Sequence, residues 1–182
     1  RLQCPCGPVD VAVEVDDAGR PGRVSFDSVR AFVAQLDAQL DVTPYGRLTL
    51  DLAYGGAYYA VLPASRLGLD LHETPYAQLV TAGREIIAAG REQLTIEHSG
   101  AADLGFLYGC ILTDDTEPSA GVCSRNLCIF GGGQVDRSPT GSGITARLAI
   151  AHARGLVAPG ETHAYAGLSG IPFTGMIRDA DP

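Results

Sequence analysis

The segment Gln134–Gly143 brings together an acid (Asp136), a hydroxyl (Thr140) and the pair Gly141 and Gly143 around Ser142, at the mouth of a helical pattern Ile144-Thr145-Ala146-Arg147-Leu148. A helix entrance leaves backbone N–H groups without intrahelical partners, and the helix macrodipole adds partial positive charge there. A small carboxylate suits such an entrance. Asp136, just upstream, can accept a hydrogen bond from an ammonium on the same ligand. One loop therefore offers donors for a carboxylate and an acceptor for an amine, which is what an amino-acid site requires. Plainer readings stay open: Thr140 as a hydroxyl satisfying a helix-entry N–H, and Asp136 as a turn acid.

The elements around this loop follow from periodicity. The helix it opens is predicted from about Gly143 to Arg154, with Ile144, Leu148 and Ala151 inward and Gly155 as its left-handed stop. An earlier helix is predicted with Thr74 as N-cap and Pro75 in its first position. Its apolar stripe runs Tyr76, Leu79, Val80, Gly83, Ile86, Ile87, Gly90 and Leu94. Gly83 and Gly90 on that stripe imply close packing on a sheet. Strands are expected at Val9–Val15 (half-buried by its alternation), Leu48–Leu52, Tyr58–Leu62, Asp103–Leu112, Leu127–Phe130 and near His163–Tyr165. Their spacing suggests antiparallel hairpins more than repeated βαβ units.

The 182 residues suit one domain, and an apolar fraction of 46% allows a substantial core. Thirteen arginines and no lysine stand against 21 acids, for a net charge of −8. No basic cluster exists to follow phosphates, so nucleic acid is not an expected partner. No apolar run is long enough to span a membrane, and no signal peptide is visible, so a cytoplasmic location is the expectation. The five cysteines, Cys4, Cys6, Cys110, Cys123 and Cys128, lack a disulfide or zinc spacing and read as reduced structural thiols.

Other motifs carry less. Gly141–Ala146 satisfies the G-x-G-x-x-A dinucleotide pattern, but it lies too far from the preceding strand, and no acid follows at the right distance. His72, His98, His152 and His163 have no metal-ligand spacing and read as surface or helix-face histidines. Asp114–Glu117 reads as a solvated acidic loop. Neither a metal nor an organic cofactor is expected.

Asp136–Gly143 resembles the second-cysteine motif of the proline racemase family, Asp-Arg-Ser-Pro-Cys-Gly-Thr-Gly, with Thr140 replacing the cysteine and Ser142 the threonine. Asp51–Ala60, Phe106–Gly109, Asn126–Phe130 and the Cys4-Pro-Cys6-Gly7 opening fit the same pattern. The resemblance implies an α/β (α+β) domain of the diaminopimelate epimerase-like fold, a curled mixed or antiparallel sheet around a central helix. It also implies that residues 1–182 form the second half of a two-domain enzyme. The partner domain would carry a first catalytic cysteine in a Met-Cys-Gly-His motif, which this sequence lacks.

The resemblance assigns roles. Asp136 would bind the substrate ammonium, and Gly141 and Ser142 would donate N–H groups to its carboxylate. Phe130 would line the ring pocket, although a core phenylalanine reads nearly as well. Arg137 fits either a carboxylate clamp or a buried structural ion pair. Thr140 would be catalytic, and it changes the chemistry. Two-base racemisation needs an ionisable group on each face of Cα; a thiol serves and an aliphatic hydroxyl does not. A threonine here marks the branch of the family that dehydrates trans-3-hydroxy-L-proline to pyrroline-2-carboxylate. A racemase or epimerase relative and a non-catalytic amino-acid-binding module are the rival readings. The implied partners are a small substrate, hydroxyproline or proline, and a second copy in a homodimer.

Overall fold

A computed structural model of the chain describes residues 1–116, 119 and 121–180. Its first strands form two small ribbons: β1 (Leu2–Cys4) pairs with β2 (Gly7–Val9), and β3 (Val11–Val15) with β4 (Pro21–Phe26). The remaining strands are β5 (Phe32–Val42), β6 (Gly46–Tyr54), β7 (Tyr58–Pro63), β8 (Leu107–Thr113), β9 (Cys123–Phe130), β10 (Gln134–Val135), β11 (Thr162–Ala166) and β12 (Pro172–Met176). They make one sheet in the order β12-β11-β9-β8-β7-β6-β5, with β10 added at the end of β9. The helices are α1 (Tyr76–Gln93) and α2 (Gly141–Ala153).

The sheet is mixed. β7 and β8 run parallel across α1, and β9 and β11 run parallel across α2. Antiparallel pairing predominates, as strand spacing suggested, but two βαβ crossovers add parallel pairs, which require such a connection. Tyr58–Leu62 is apolar throughout because it is buried on both faces. Tyr58, Ala60 and Leu62 join Leu50, Leu52, Leu112 and Ile129 under Leu79, Ala82, Ile86 and Ile87 of α1. Tyr59, Val61, Ile111 and Cys128 face the other way, toward Ala146 and Ile150 of α2.

Helix α2 touches β5, β6 and β7 as well as β12, from opposite ends of the strand order, so the sheet curls around it. Gly143, Ile144, Ala146, Arg147, Leu148, Ile150 and Ala151 are all buried, so α2 is the central helix the resemblance implied, buried on more of its surface than Ile144, Leu148 and Ala151 alone indicated. The predicted stop holds: Gly155 adopts φ 72°. Gly83 and Gly90 also behave as expected. A Cβ on Gly83 would lie 2.8 Å from Ile129 Cδ1, and one on Gly90 would lie 2.5 Å from Leu107 Cδ2.

Several boundaries move. Pro75, not Thr74, caps α1, with no side-chain cap bond, because the Thr74 hydroxyl instead accepts the Asp70 N–H at 2.8 Å. Ala102–Leu104 is a 3-10 turn, and the strand after it begins only at Leu107. Val9–Val15 is broken at Asp10, and Val13 and Val15 are exposed, because their ribbon lies outside the main sheet. Glu117, the end of the predicted acidic loop, lies outside the described residues.

Candidate active site

The loop from β10 to α2 is built around the Asp136 carboxylate. Oδ1 accepts the Ser138 N–H at 2.9 Å and the Ser138 hydroxyl at 2.8 Å, an Asx-type turn. Oδ2 accepts the Thr140 hydroxyl at 3.0 Å. An ionised carboxylate only accepts, so the Thr140 oxygen must be the donor, and its lone pairs are left for other partners. The Thr140 N–H in turn donates to Ser138 Oγ at 3.1 Å. The sequence reading missed Ser138, although Ser-x-Thr two and four residues after an acid is the signal for such a turn.

Thr140 adopts φ 66° and ψ 103°. A β-branched residue at positive φ is a genuine outlier, costing on the order of 1–3 kcal/mol unless its surroundings impose it. Thr140 precedes α2, as predicted, but its side chain does not cap the helix: the hydroxyl turns back to Asp136. The first intrahelical bond runs from the Ile144 N–H to the Thr140 carbonyl at 2.8 Å. The N–H groups of Gly141, Ser142 and Gly143 are therefore the orphan donors of the helix start.

Close backbone approach explains the glycines. A Cβ on Gly143 would sit 2.8 Å from Ile111 Cδ1. A Cβ on Gly55, in the β6–β7 turn, would overlap the Ser142 carbonyl and lie 2.6 Å from the Ala146 nitrogen. Gly141 carries the Phe26 ring, which a Cβ would meet at 2.8 Å, so the β3–β4 ribbon reaches over the helix entrance. Neither Phe26 nor Gly55 was legible from local pattern.

Ser142 Oγ lies 2.7 Å from the Tyr59 hydroxyl. Burial holds the Tyr59 phenol well above its ordinary pKa, so it bonds Ser142 as a neutral group. Tyr59 meets Tyr108 edge-on at 5.7 Å, and Phe130 stacks on Tyr108 at 5.5 Å with 11° between the rings. Phe130 is half-buried at the end of β9, on the sheet face that carries α2.

Cys128 lies on this same face. Burial pushes its thiol up to about 12; the Thr140 hydroxyl opposes this and the Asp136 charge adds to it. Burial raises Cys110 as well, and all five thiols are free. At neutral pH the Cys128 thiolate fraction is on the order of 10⁻⁵, too small for a working base. Arg137 is exposed and makes no described ion pair; its carbonyl accepts the Ser169 N–H at 3.0 Å. Among the described residues the buried arginine is Arg147, nearly two turns into α2. Among the described residues, no group of His, Cys, Asp and Glu is placed to hold a metal, and no helix is long and apolar enough to cross a membrane. His163, expected on a surface, is buried on β11, because that strand is covered by β9 and β12 on its edges and by the α2 side on its face.

A sheet curled round a buried helix, with that helix's open N-terminus beside a carboxylate, places the chain in the diaminopimelate epimerase-like fold class. The chain belongs to the proline racemase family, whose profile, "Proline racemase", matches residues 1–181. Among curated relatives, the trans-3-hydroxy-L-proline dehydratase of Homo sapiens is 41% identical over 182 residues, covering 99% of this chain and 51% of that protein. The protein of the same name from Colwellia psychrerythraea is 42% identical over 161 residues, 88% of this chain and 45% of its own length. A solved hydroxyproline epimerase of Agrobacterium vitis, with bound trans-4-hydroxy-L-proline, superposes with a TM-score of 0.84 at 31% identity. It covers 93% of this chain and 48% of that one. A probable proline racemase of Agrobacterium radiobacter, with bound carbonate, gives 0.85 at 30% identity, covering 93% and 48%. The chain thus spans about half the length of the relatives it matches.

Proposed function

We propose that residues 1–182 are the second domain of a cofactor-independent hydro-lyase that converts trans-3-hydroxy-L-proline to pyrroline-2-carboxylate. The observation that carries this reading is Thr140, a hydroxyl held at 3.0 Å from Asp136 at the mouth of α2, where a second catalytic base would need a thiol. The names of the dehydratase relatives point the same way.

In this scheme the substrate carboxylate lies on the N–H groups of Gly141 and Ser142, where the helix dipole favours negative charge. The ring ammonium pairs with Asp136, and Phe130 packs on the ring. A thiolate from the partner domain takes the Cα proton; neither Cys128 nor Cys110 can, being buried and protonated. The electron pair left at Cα forms a double bond to the neighbouring carbon and breaks its C–O bond; the departing hydroxyl takes a proton from solvent and leaves as water, and the resulting enamine tautomerises to the cyclic imine. Once the ammonium neutralises Asp136, the Thr140 hydroxyl is free to turn and hydrogen-bond the departing oxygen. Such a charge-assisted bond stabilises developing negative charge by roughly 1.5–3 kcal/mol. On this scheme the chain by itself is inactive.

Proton NMR of the complete enzyme with trans-3-hydroxy-L-proline in D₂O tests the proposal. Pyrroline-2-carboxylate should accumulate. Epimerisation at Cα with the hydroxyl retained and no pyrroline-2-carboxylate would refute it in favour of an epimerase.

A further inference from the structure

Thr140 occupies its unfavourable conformation at the end of a buried polar chain that no part of the proposed chemistry uses. The Arg147 guanidinium donates from Nη1 to Asn126 Oδ1 at 3.0 Å and from Nη2 to Ser124 Oγ at 2.6 Å, and lies over the Tyr165 ring at 4.7 Å. The Ser124 hydroxyl in turn donates to Asp114 Oδ1 at 3.1 Å. Asn126 Nδ2 donates to the carbonyl of Pro139 at 3.2 Å, the residue immediately before Thr140. Ser124, Asn126, Arg147 and Pro139 are all buried. Arginine has no acceptor, so it fixes the orientation of the Asn126 amide, oxygen toward Arg147 and nitrogen toward Pro139.

We propose that Asn126, oriented by Arg147, is a positioning residue for the reaction proposed above: it anchors the Pro139–Thr140 peptide and thereby aims the Thr140 hydroxyl. The loop is gripped from two sides. Asn126 holds the Pro139 carbonyl from the sheet, and Gly167 packs against the Ser138–Pro139 peptide so closely that a Cβ there would lie 2.8 Å from the Pro139 nitrogen. Pro139 has no N–H, so its carbonyl is its only polar backbone grip. Without the Asn126 donor, the grip from the sheet on this peptide is lost, and the unfavourable φ of 66° at Thr140 is held only from the loop side.

Asn126→Asp separates this role from a general contribution to folding. A carboxylate still accepts from Arg147, now as an ion pair, but it cannot donate to Pro139 and repels its carbonyl. In the complete enzyme, N126D should fold with a Tm near that of the parent, lose roughly 10–100-fold in kcat, and change KM about threefold or less. In a T140A background the same change should alter residual turnover less than about twofold, because Asn126 acts through Thr140. A crystal structure of N126D should show Thr140 at negative φ with its bond to Asp136 lost. Asn126→Ser, which keeps an acceptor for Arg147 but falls short of Pro139, serves in the same cycle if N126D does not fold. Parental kcat, an equal loss in both backgrounds, or Thr140 unmoved at positive φ would each overturn the proposal. If the parent enzyme does not dehydrate the substrate, the dehydratase reading fails, and the Thr140 geometry in N126D still decides the positioning.

Discussion

Thr140→Cys should give the enzyme a second base, and the structure sets the terms. A thiol starts from a pKa of about 8.5, and a helix N-terminus pulls it down. Asp136 Oδ2, 3.0 Å from the present hydroxyl, pushes it up. At an effective dielectric of about 20, two unit charges at that separation interact by roughly 5 kcal/mol, or about 4 pKa units. In the free enzyme the thiol of T140C should therefore be protonated well beyond neutrality. When a ring ammonium pairs with Asp136 this repulsion is largely cancelled, and the thiol returns to about 8.5 or below. A few per cent is then thiolate at pH 7, which supports proton transfer because a thiolate is an intrinsically competent base.

T140C should therefore interconvert the enantiomers of proline, whereas the parent, with one base, should not. Its kcat should rise with pH toward an apparent pKa near that of an unperturbed thiol. Alkylation of the introduced thiol by iodoacetamide should be slow without ligand. Dehydration of trans-3-hydroxy-L-proline should fall at least tenfold, since a thiol is a weak hydrogen-bond donor to a departing oxygen. Deuterium uptake at Cα, followed by NMR with chiral analysis of the recovered proline, is the assay. A folded T140C that still dehydrates but never inverts proline would show that residue 140 does not face Cα, and the chemical role given to Thr140 would be wrong.

Other consequences are simpler to measure. Tyr59→Phe strands the Ser142 hydroxyl and should cost about 1 kcal/mol by thermal melting, with a severalfold rise in KM, because the helix entrance loses its outer brace. Gly167→Ala collides with backbone at Ser138–Pro139, which cannot swing aside as a side chain would, and should reduce kcat on the order of 10²-fold by displacing Thr140. Gly83→Ala presses first on the Ile129 side chain and should lower stability by roughly 1–3 kcal/mol while leaving KM unchanged. Cys128 has its pKa raised to about 12, so its neutral thiol persists until pH approaches that value; at pH 8 mass spectrometry should find exposed Cys123 alkylated and Cys128 untouched in the native fold.

What was legible in the sequence divides along physical lines. Local signals carried well: the stop at Gly155, the close packing at Gly83 and Gly90, and the loop acid with a hydroxyl before a helix each depend on residues near one another in the chain. The parallel pairings were not legible, because β7 with β8 and β9 with β11 are chosen by where the crossover helices pack, not by strand spacing. Long β5 escaped for a related reason. Its register shifts between Val33 and Ala38, around Asp37 at φ 53°, interrupt the alternation that marks a strand. The supports of the site were equally hidden. Asn126 stands just before an apolar run and Arg147 within a helical one, and nothing local to either shows that they meet 3.0 Å apart near Pro139. A motif records the groups that meet a ligand, but their aim is set by partners distant in sequence. Arg137 and Arg147 show the difference. The first stands inside the motif and is exposed; the second stands outside it and is buried against Asn126, which holds the loop that presents Thr140.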